Sequence, residues 1–477
     1  MTLLPKLRSR DRMILASVVV SATLLRLWFS YRCFGFSTGD DVEIVRAGFM
    51  RAFGHPYTPW EIRNLFVSDA LVSPVLGLAS TLGAESVRLL RWIATFPFIA
   101  LASLNIILVY LLGLEWLKSE RAATLAASLF AIHWLPLGYG STVYPRTVSI
   151  TCVLVAVLSI HKIKRPFVGY MAAGAAIGIA FACRYSEAIF LLPIFAILVL
   201  GRPTVSEKIR HTLALGLGFA AAVLVTVGLW DLVTWGRPFS SLFEFARYTL
   251  IERESSSMVK FQSWYWYLWR LPKWFPLAAL PFFFGLPKPR WLRASVLFIA
   301  LPMLVLSMIP HKDMRYLLGI TPFIAIAVAG AACGWWRLGR RRSVVVLMIL
   351  SLLTGITIPT FVFEKSMAAV LAAEAIAGEP DVRIIALSQS WAYGGSLFLP
   401  GNPEIRELGA YPGVAELRRI ASGSDRVGLY RERLAQVPEL EGWLEANGYE
   451  PSGEFESGWS RPVVVFSRVS PPPALLE

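Results

Sequence analysis

Stretches of about twenty apolar residues recur along this chain from residue 13 to residue 362. A helix needs about 20 such residues to cross the ~30 Å hydrocarbon core of a bilayer. Lipid offers the backbone no hydrogen bonds, so a chain of this kind must cross as helices that satisfy their own N–H and C=O groups. The candidate spans are 13–31, 88–113, 122–139, 146–160, 167–183, 186–200, 212–231, 274–287, 293–309, 316–336 and 343–362. Several are short, and 167–183 runs almost directly into 186–200, so the expected count is about eleven. Composition supports the reading: 56% of residues are hydrophobic and only 16% charged, where a soluble domain carries about a quarter charged. The chain's 17 Trp suit the two membrane interfaces.

A net charge of +14 could point to nucleic acid. The distribution of Lys and Arg argues against it, and no nucleic-acid partner is expected. Basic residues cluster in EWLKSER, HKIKRP, GRPTVSEKIRH, LPKPRWLR and WRLGRRRS, which are alternate connections between the apolar runs. Basic loops stay in the cytoplasm, so the N-terminus is expected inside and the C-terminus outside. The first run follows Lys6, Arg8, Arg10 and Arg12 without a small-residue cleavage site and reads as a retained helix. Cys33, Cys152, Cys183 and Cys333 have no metal-ligand spacing.

The outer connections have another character. The first, 32–87, is long and mixed in charge, and should hold amphipathic helices along the interface. The fourth, 232–273, contains SWYWYLW. After Ala377 the apolar runs stop and β-like segments appear: RIIAL, RVGLY and PVVVFSRV, with a helix-like LEANG that Gly448 can terminate. The expected organisation is a transmembrane domain over 1–377, an extracytoplasmic α/β domain over 378–470, and a disordered tail over 471–477.

Four constellations can carry chemistry, all on the outer side. Asp40, Asp41 and Glu43 follow the first span; such acids can bind a cation, act as a base, or simply be solvated. His311, Lys312 and Arg315 crowd an outer helix mouth, against the basic-inside trend. They read either as snorkelling side chains or as a phosphate site. Arg184 lies between two apolar runs and can pair with Glu187 or face a cavity, and Arg146 has the same two readings. Trp264, Tyr265 and Tyr267 can form an interfacial belt, line a lipid groove or stack on a sugar; Asp231 ends the preceding span on the same face. No P-loop, GxGxxG or GxSxG is present, so nucleotide-driven chemistry has no support. No metal and no cofactor is expected.

In collinear order over about residues 10–330, these pieces resemble the GT-C glycosyltransferases, specifically the family 22 mannosyltransferases that build lipid-linked oligosaccharides and GPI anchors. The family's P-D-E corresponds to Gly39-Asp40-Asp41, and its T-W-E, R-S and Pro to Thr58-Pro59-Trp60-Glu61-Ile62-Arg63 and Ser73-Pro74. Its H-K-E-x-R-F/Y corresponds to His311-Lys312-Asp313-Met314-Arg315-Tyr316. Asp231, Trp235-Gly236, Phe243-Glu244-Phe245 and Trp264 to Tyr267 match the stretch between. Gly39, Asp313 and Pro59 depart from the family pattern. The resemblance implies an inverting transfer of a sugar, mannose above all, from a polyprenyl-phosphate donor to a lipid-linked glycan or glycolipid acceptor. It makes Asp40 the base, with Asp41 next. It gives His311, Lys312 and Arg315 the donor phosphate, and Trp60, Glu61 and Arg63 the acceptor side. Glu43, Arg146, Arg184, Asp231, Trp264, Tyr265 and Tyr267 are candidate substrate contacts. The rival readings are a transporter or flippase of a lipid-linked sugar, and a scaffold. None of Asn64, Asn105, Asn402 and Asn447 begins an N-x-S/T sequon, which favours a bacterial inner membrane over the ER.

Overall fold

The computed structural model describes residues 9–32, 39–55, 57–201, 204–252, 262–268, 270, 290–364, 367–388, 399, 403–409 and 411–469. The chain divides into two compact units. The first comprises Met1–Trp28, Pro59–Leu71 and Pro97–Thr357; the second comprises Phe29–Thr58, Val72–Phe96 and Ile358–Glu477.

Among the described residues six helices are long and apolar enough to cross a membrane: Met13–Arg32, Val87–Leu117, Pro166–Cys183, Val205–Trp235, Met314–Arg337 and Arg341–Ala377. Tyr185–Leu200 and Arg293–Met308 are shorter apolar helices. The sequence leads to an expectation of about eleven spans, and the difference has local causes. The candidate 122–139 is broken at His133 into Glu120–Ile132 and Trp134–Tyr139, and the His133 Nδ1 accepts the Leu135 N–H at 3.2 Å. The candidate 146–160 lies in the 18-residue helix Pro145–Lys162, whose ends are polar. The candidate 274–287 lies outside the described residues.

In the first unit, helices Pro166–Cys183 and Val205–Val223 cross closely because glycines face backbone. A Cβ on Gly174 would lie 2.0 Å from the Leu215 carbonyl oxygen, and one on Gly218 equally close to that of Met171. Small residues let helices approach in lipid, where burial alone gives no driving force. Val205–Val223 starts at a Thr204/Glu207 capping box. It continues through a π-helical turn, Leu224–Leu229, into Trp230–Trp235. Gly236, at φ +73°, ends it. Such π turns accompany functional sites; this one precedes Asp231.

In the second unit, helix Gly39–Phe53 buries Val42, Val45 and Phe49, an amphipathic pattern expected of the first outer connection. Gly48 meets Val72, whose Cγ1 would be 2.4 Å from an added Cβ. The five strands are β1 Ile384–Ser388, β2 Glu404–Leu408, β3 Arg426–Tyr430, β4 Tyr449–Phe455 and β5 Val463–Arg468. Their order is β2-β1-β3-β5-β4, with β1 parallel to β2 and β3, and β5 antiparallel to β3 and β4. Helix Met367–Ala377 packs on one face against Ile385, Leu387, Tyr430, Val463 and Val465. Leu417, Leu434, Leu440 and Leu444 cover the other. Gly448, at φ +76°, follows the helix Glu439–Ala446 as the sequence suggests.

Candidate active site

The acids of the second unit come first. Asp40 and Asp41 occupy the first turn of Gly39–Phe53 and are buried, at 6% and 0% exposure. The positive end of the helix dipole favours carboxylates there. Glu43 plays another part and accepts the Tyr57 phenol at 2.6 Å, while the Arg46 guanidinium lies 5.7 Å from the Tyr57 ring centre. Burial, with the Glu43 carboxylate, pushes the Tyr57 phenol up. Glu43 therefore braces the loop that returns from the helix.

In the first unit, Asp231 is fully buried and accepts three donors: Ser241 Oγ at 2.6 Å, the Ser241 N–H at 2.9 Å and Asn64 Nδ2 at 3.1 Å. The same Asn64 amide donates to the Thr226 carbonyl in the π turn. Glu61 accepts Ser240 Oγ at 2.7 Å. Trp60 stands edge-on to Tyr248 at 5.0 Å, with the Arg63 guanidinium 5.6 Å from its ring centre. The segment 60–64 is thus fastened to the 231–248 region through side chains, and Trp60 stays partly exposed.

The second cluster of the first unit surrounds His311 to Tyr316. Arg146 pairs with Glu187 at 2.6 Å, and both side chains are buried. Arg146 also donates to Ser186 Oγ at 2.9 Å and to the Tyr316 carbonyl at 3.1 Å, and lies 5.0 Å from the Tyr316 ring centre. His311 Nε2 and the Tyr316 hydroxyl are 3.2 Å apart. Arg315 pairs with Asp313 at 3.2 Å, and Asp313 accepts the Arg315 N–H. Lys312 is buried and donates to the carbonyls of Ile309, at 2.5 Å, and Gln262, at 3.2 Å. Its ammonium closes the end of the preceding helix, and burial lowers its proton affinity.

The sequence leaves Arg184 either paired with Glu187 or facing a cavity; the structure gives Glu187 to Arg146, with the Arg184 charge also acting on it. Trp264 and Tyr265 are exposed, edge-to-face at 5.7 Å. Tyr267 instead is buried and donates to the Asp313 carbonyl at 3.2 Å, a bolt beneath the His311–Tyr316 turn. Residues 185–187 join the two clusters of this unit: Tyr185 reaches Ser241 while Ser186 and Glu187 hold Arg146. Asn64, Tyr185, Glu187 and Ser241 are the positions that sequence reasoning did not single out as site residues. Asn64 directly follows Arg63 and offered a signal; Ser241 offered none. Among the described residues no group of three or more His, Cys, Asp and Glu side chains is arranged to hold a metal.

ArnT from Cupriavidus metallidurans has a similar structure. Its apo form superposes with a TM-score of 0.61 at 14% identity, over 95% of this chain and 98% of that chain. The form bound to undecaprenyl phosphate gives 0.57 at the same identity and coverage. At that identity the likeness is one of fold alone. The chain belongs to the Alg9-like mannosyltransferase family, whose model matches residues 49–378, and that match defines its class as a glycosyltransferase. No curated protein sequence matches the chain. The family match takes in every candidate from Trp60 to Arg315, while Asp40, Asp41 and Glu43 precede it.

Proposed function

We propose that this protein transfers a sugar, mannose in the first place, from a polyprenyl-phosphate donor to a lipid-linked glycan or glycolipid acceptor. The family match over residues 49–378 is the observation that carries the reading. A donor built on a lipid phosphate agrees with a chain that spans the membrane, and ArnT, the fold neighbour, has been seen with undecaprenyl phosphate.

In this reading the acceptor hydroxyl attacks the anomeric carbon from the face opposite the phosphate, with inversion. The hydroxyl proton passes to the carboxylate of Asp40, with Asp41 as the alternative acceptor. The anomeric C–O bond breaks, its electron pair stays on the phosphate oxygen, and His311 and Arg315 stabilise the charge that develops there. Lys312, occupied with two carbonyls, acts on that charge through space. Trp60, Glu61, Arg63 and the exposed Trp264 and Tyr265 shape the acceptor side. Arg146, Arg184, Asp231, Tyr267 and Glu43 hold these groups in position. The helical part over 1–377 carries the chemistry, with 378–470 as an extracytoplasmic domain ahead of a tail at 471–477. The site faces the extracytoplasmic side of a bacterial inner membrane, with the ER lumen as the alternative.

The test is transfer from a defined polyprenyl-phosphate mannose in proteoliposomes. Asp40→Asn is expected to cut turnover by about 10²–10⁴ with donor binding retained, while His311→Ala and Arg315→Ala lose donor binding. Full turnover by Asp40→Asn removes Asp40 from the base role. Transfer from a glucose donor in preference to mannose removes the sugar assignment.

A further inference from the structure

We propose that the cytoplasmic end of the first unit binds an anionic glycerophospholipid of the inner leaflet. A cleft of about 550 Å³ lies between the beginnings of helices Pro166–Cys183 and Val205–Val223. Its lining is largely apolar, with the polar side chains confined to one end. Ser206 and Arg210 sit there beside Val205 and Ile209, and Leu213 and Leu217 lead away from them along the same helix, with Phe167 opposite. From Arg210 to Leu217 the helix rises about 10 Å, so the cleft runs from headgroup level into hydrocarbon. That gradient fits an amphiphile with a polar head and an acyl chain.

The sign of the head follows from Arg210. This side chain is exposed, its guanidinium lies 5.3 Å from the Phe167 ring centre, and it forms no ion pair among the described residues. The nearby Glu207 carboxylate is engaged at the helix start, accepting the Thr204 N–H and Oγ, each at 2.9 Å. In sequence, the stretches HKIKRP and GRPTVSEKIRH around the starts of the two helices are basic. Basic pockets between spanning helices on the cytoplasmic side suit anionic headgroups. Leu213 and Leu217 are each 60% exposed on a membrane-spanning helix, which leaves an acyl chain as their natural cover. The glycine contacts that hold the two helices together, at Gly174 and Gly218, fix the walls before any lipid arrives.

The experiment compares phosphatidylglycerol and phosphatidylcholine retained by the full-length protein after extraction, read by native mass spectrometry. Wild type is expected to keep phosphatidylglycerol in preference. Arg210→Gln, at an exposed position, is expected to lower that retention roughly fivefold, and Arg210→Lys to restore most of it. Leu213→Trp, which fills the cleft, is expected to displace both lipids. Equal retention of the two lipids, a preference untouched by Arg210→Gln, or a second copy of the chain in place of lipid overturns the proposal. Thermal unfolding of Arg210→Gln at the wild-type temperature shows that any loss reflects the site.

Discussion

At the scale of single residues, the Arg146–Glu187 pair is the most consequential contact of the candidate site. Removing one partner leaves the other charge buried, which costs about 3–5 kcal/mol, whereas replacing both with apolar side chains is often neutral. Arg146→Ala is therefore expected to lower thermal stability in detergent sharply, and Arg146→Met with Glu187→Met to recover most of it while still impairing transfer. Asp231→Ala strands the Ser241 and Asn64 donors at about 1–3 kcal/mol each; unfolding by heat measures the sum. Lys312 gives a pH signature. Burial lowers its folded pKa, so its cost to stability is full at neutral pH and fades as pH rises through that pKa towards about 10.4. Wild type should gain stability relative to Lys312→Met as the pH rises towards about 10.4. Sequence reasoning found the charged side chains because each sits in a short motif. It could not find their partners. Asn64 and Asp231 are 167 positions apart, and nothing local in either marks the other.

At the scale of elements, the strands show what a sequence reveals. RIIAL, RVGLY and PVVVFSRV are apolar runs because β1, β3 and β5 are interior strands of the sheet. The edges β2 and β4 are hidden: Glu404-Ile405-Arg406-Glu407-Leu408 carries three charges, and Pro451 sits at a bulge of β4. Edge strands carry charge and proline because these discourage pairing with other chains. The same physics that protects them removes their signal. Helix Met367–Ala377 also bears on the sheet. A soluble fragment over 367–470 is expected to stay monodisperse in size-exclusion chromatography. One over 378–470, with Leu387, Tyr430 and Val463 uncovered, should aggregate. In the membrane part, Gly174→Leu forces a side chain into the Leu215 backbone. It should cost more than the roughly 1–3 kcal/mol typical of overpacking, seen as loss of folded protein in the membrane fraction.

At the scale of the whole molecule, the second unit gathers distant parts of the chain. Arg32 pairs with Glu364 at 3.5 Å across 332 positions, and Arg91 with Glu374 at 3.2 Å across 283. Helix Gly39–Phe53, which holds Asp40 and Asp41, thus shares a unit with the C-terminal sheet. Deleting everything from residue 367 onward removes no proposed reacting group, yet it is expected to abolish transfer, because Arg91 loses its Glu374 partner. Wild-type turnover by that truncation would separate the sheet from the chemistry.

Arg26 carries a consequence for how the chain is made. It lies in the first spanning helix, fully buried, and donates to the Pro136 carbonyl at 3.5 Å; its Nε and Nη1 have no hydrogen-bond partner among the described residues. A charge of this kind is costly in bare lipid, and its acceptor emerges from the ribosome 110 residues later. At about 5–20 residues per second that delay is roughly 5–20 s. The first helix therefore has to be sheltered at the insertion machinery until the helix Trp134–Tyr139 arrives. Arg26→Leu should release it into the bilayer early, a change that site-specific crosslinking of stalled nascent chains would detect.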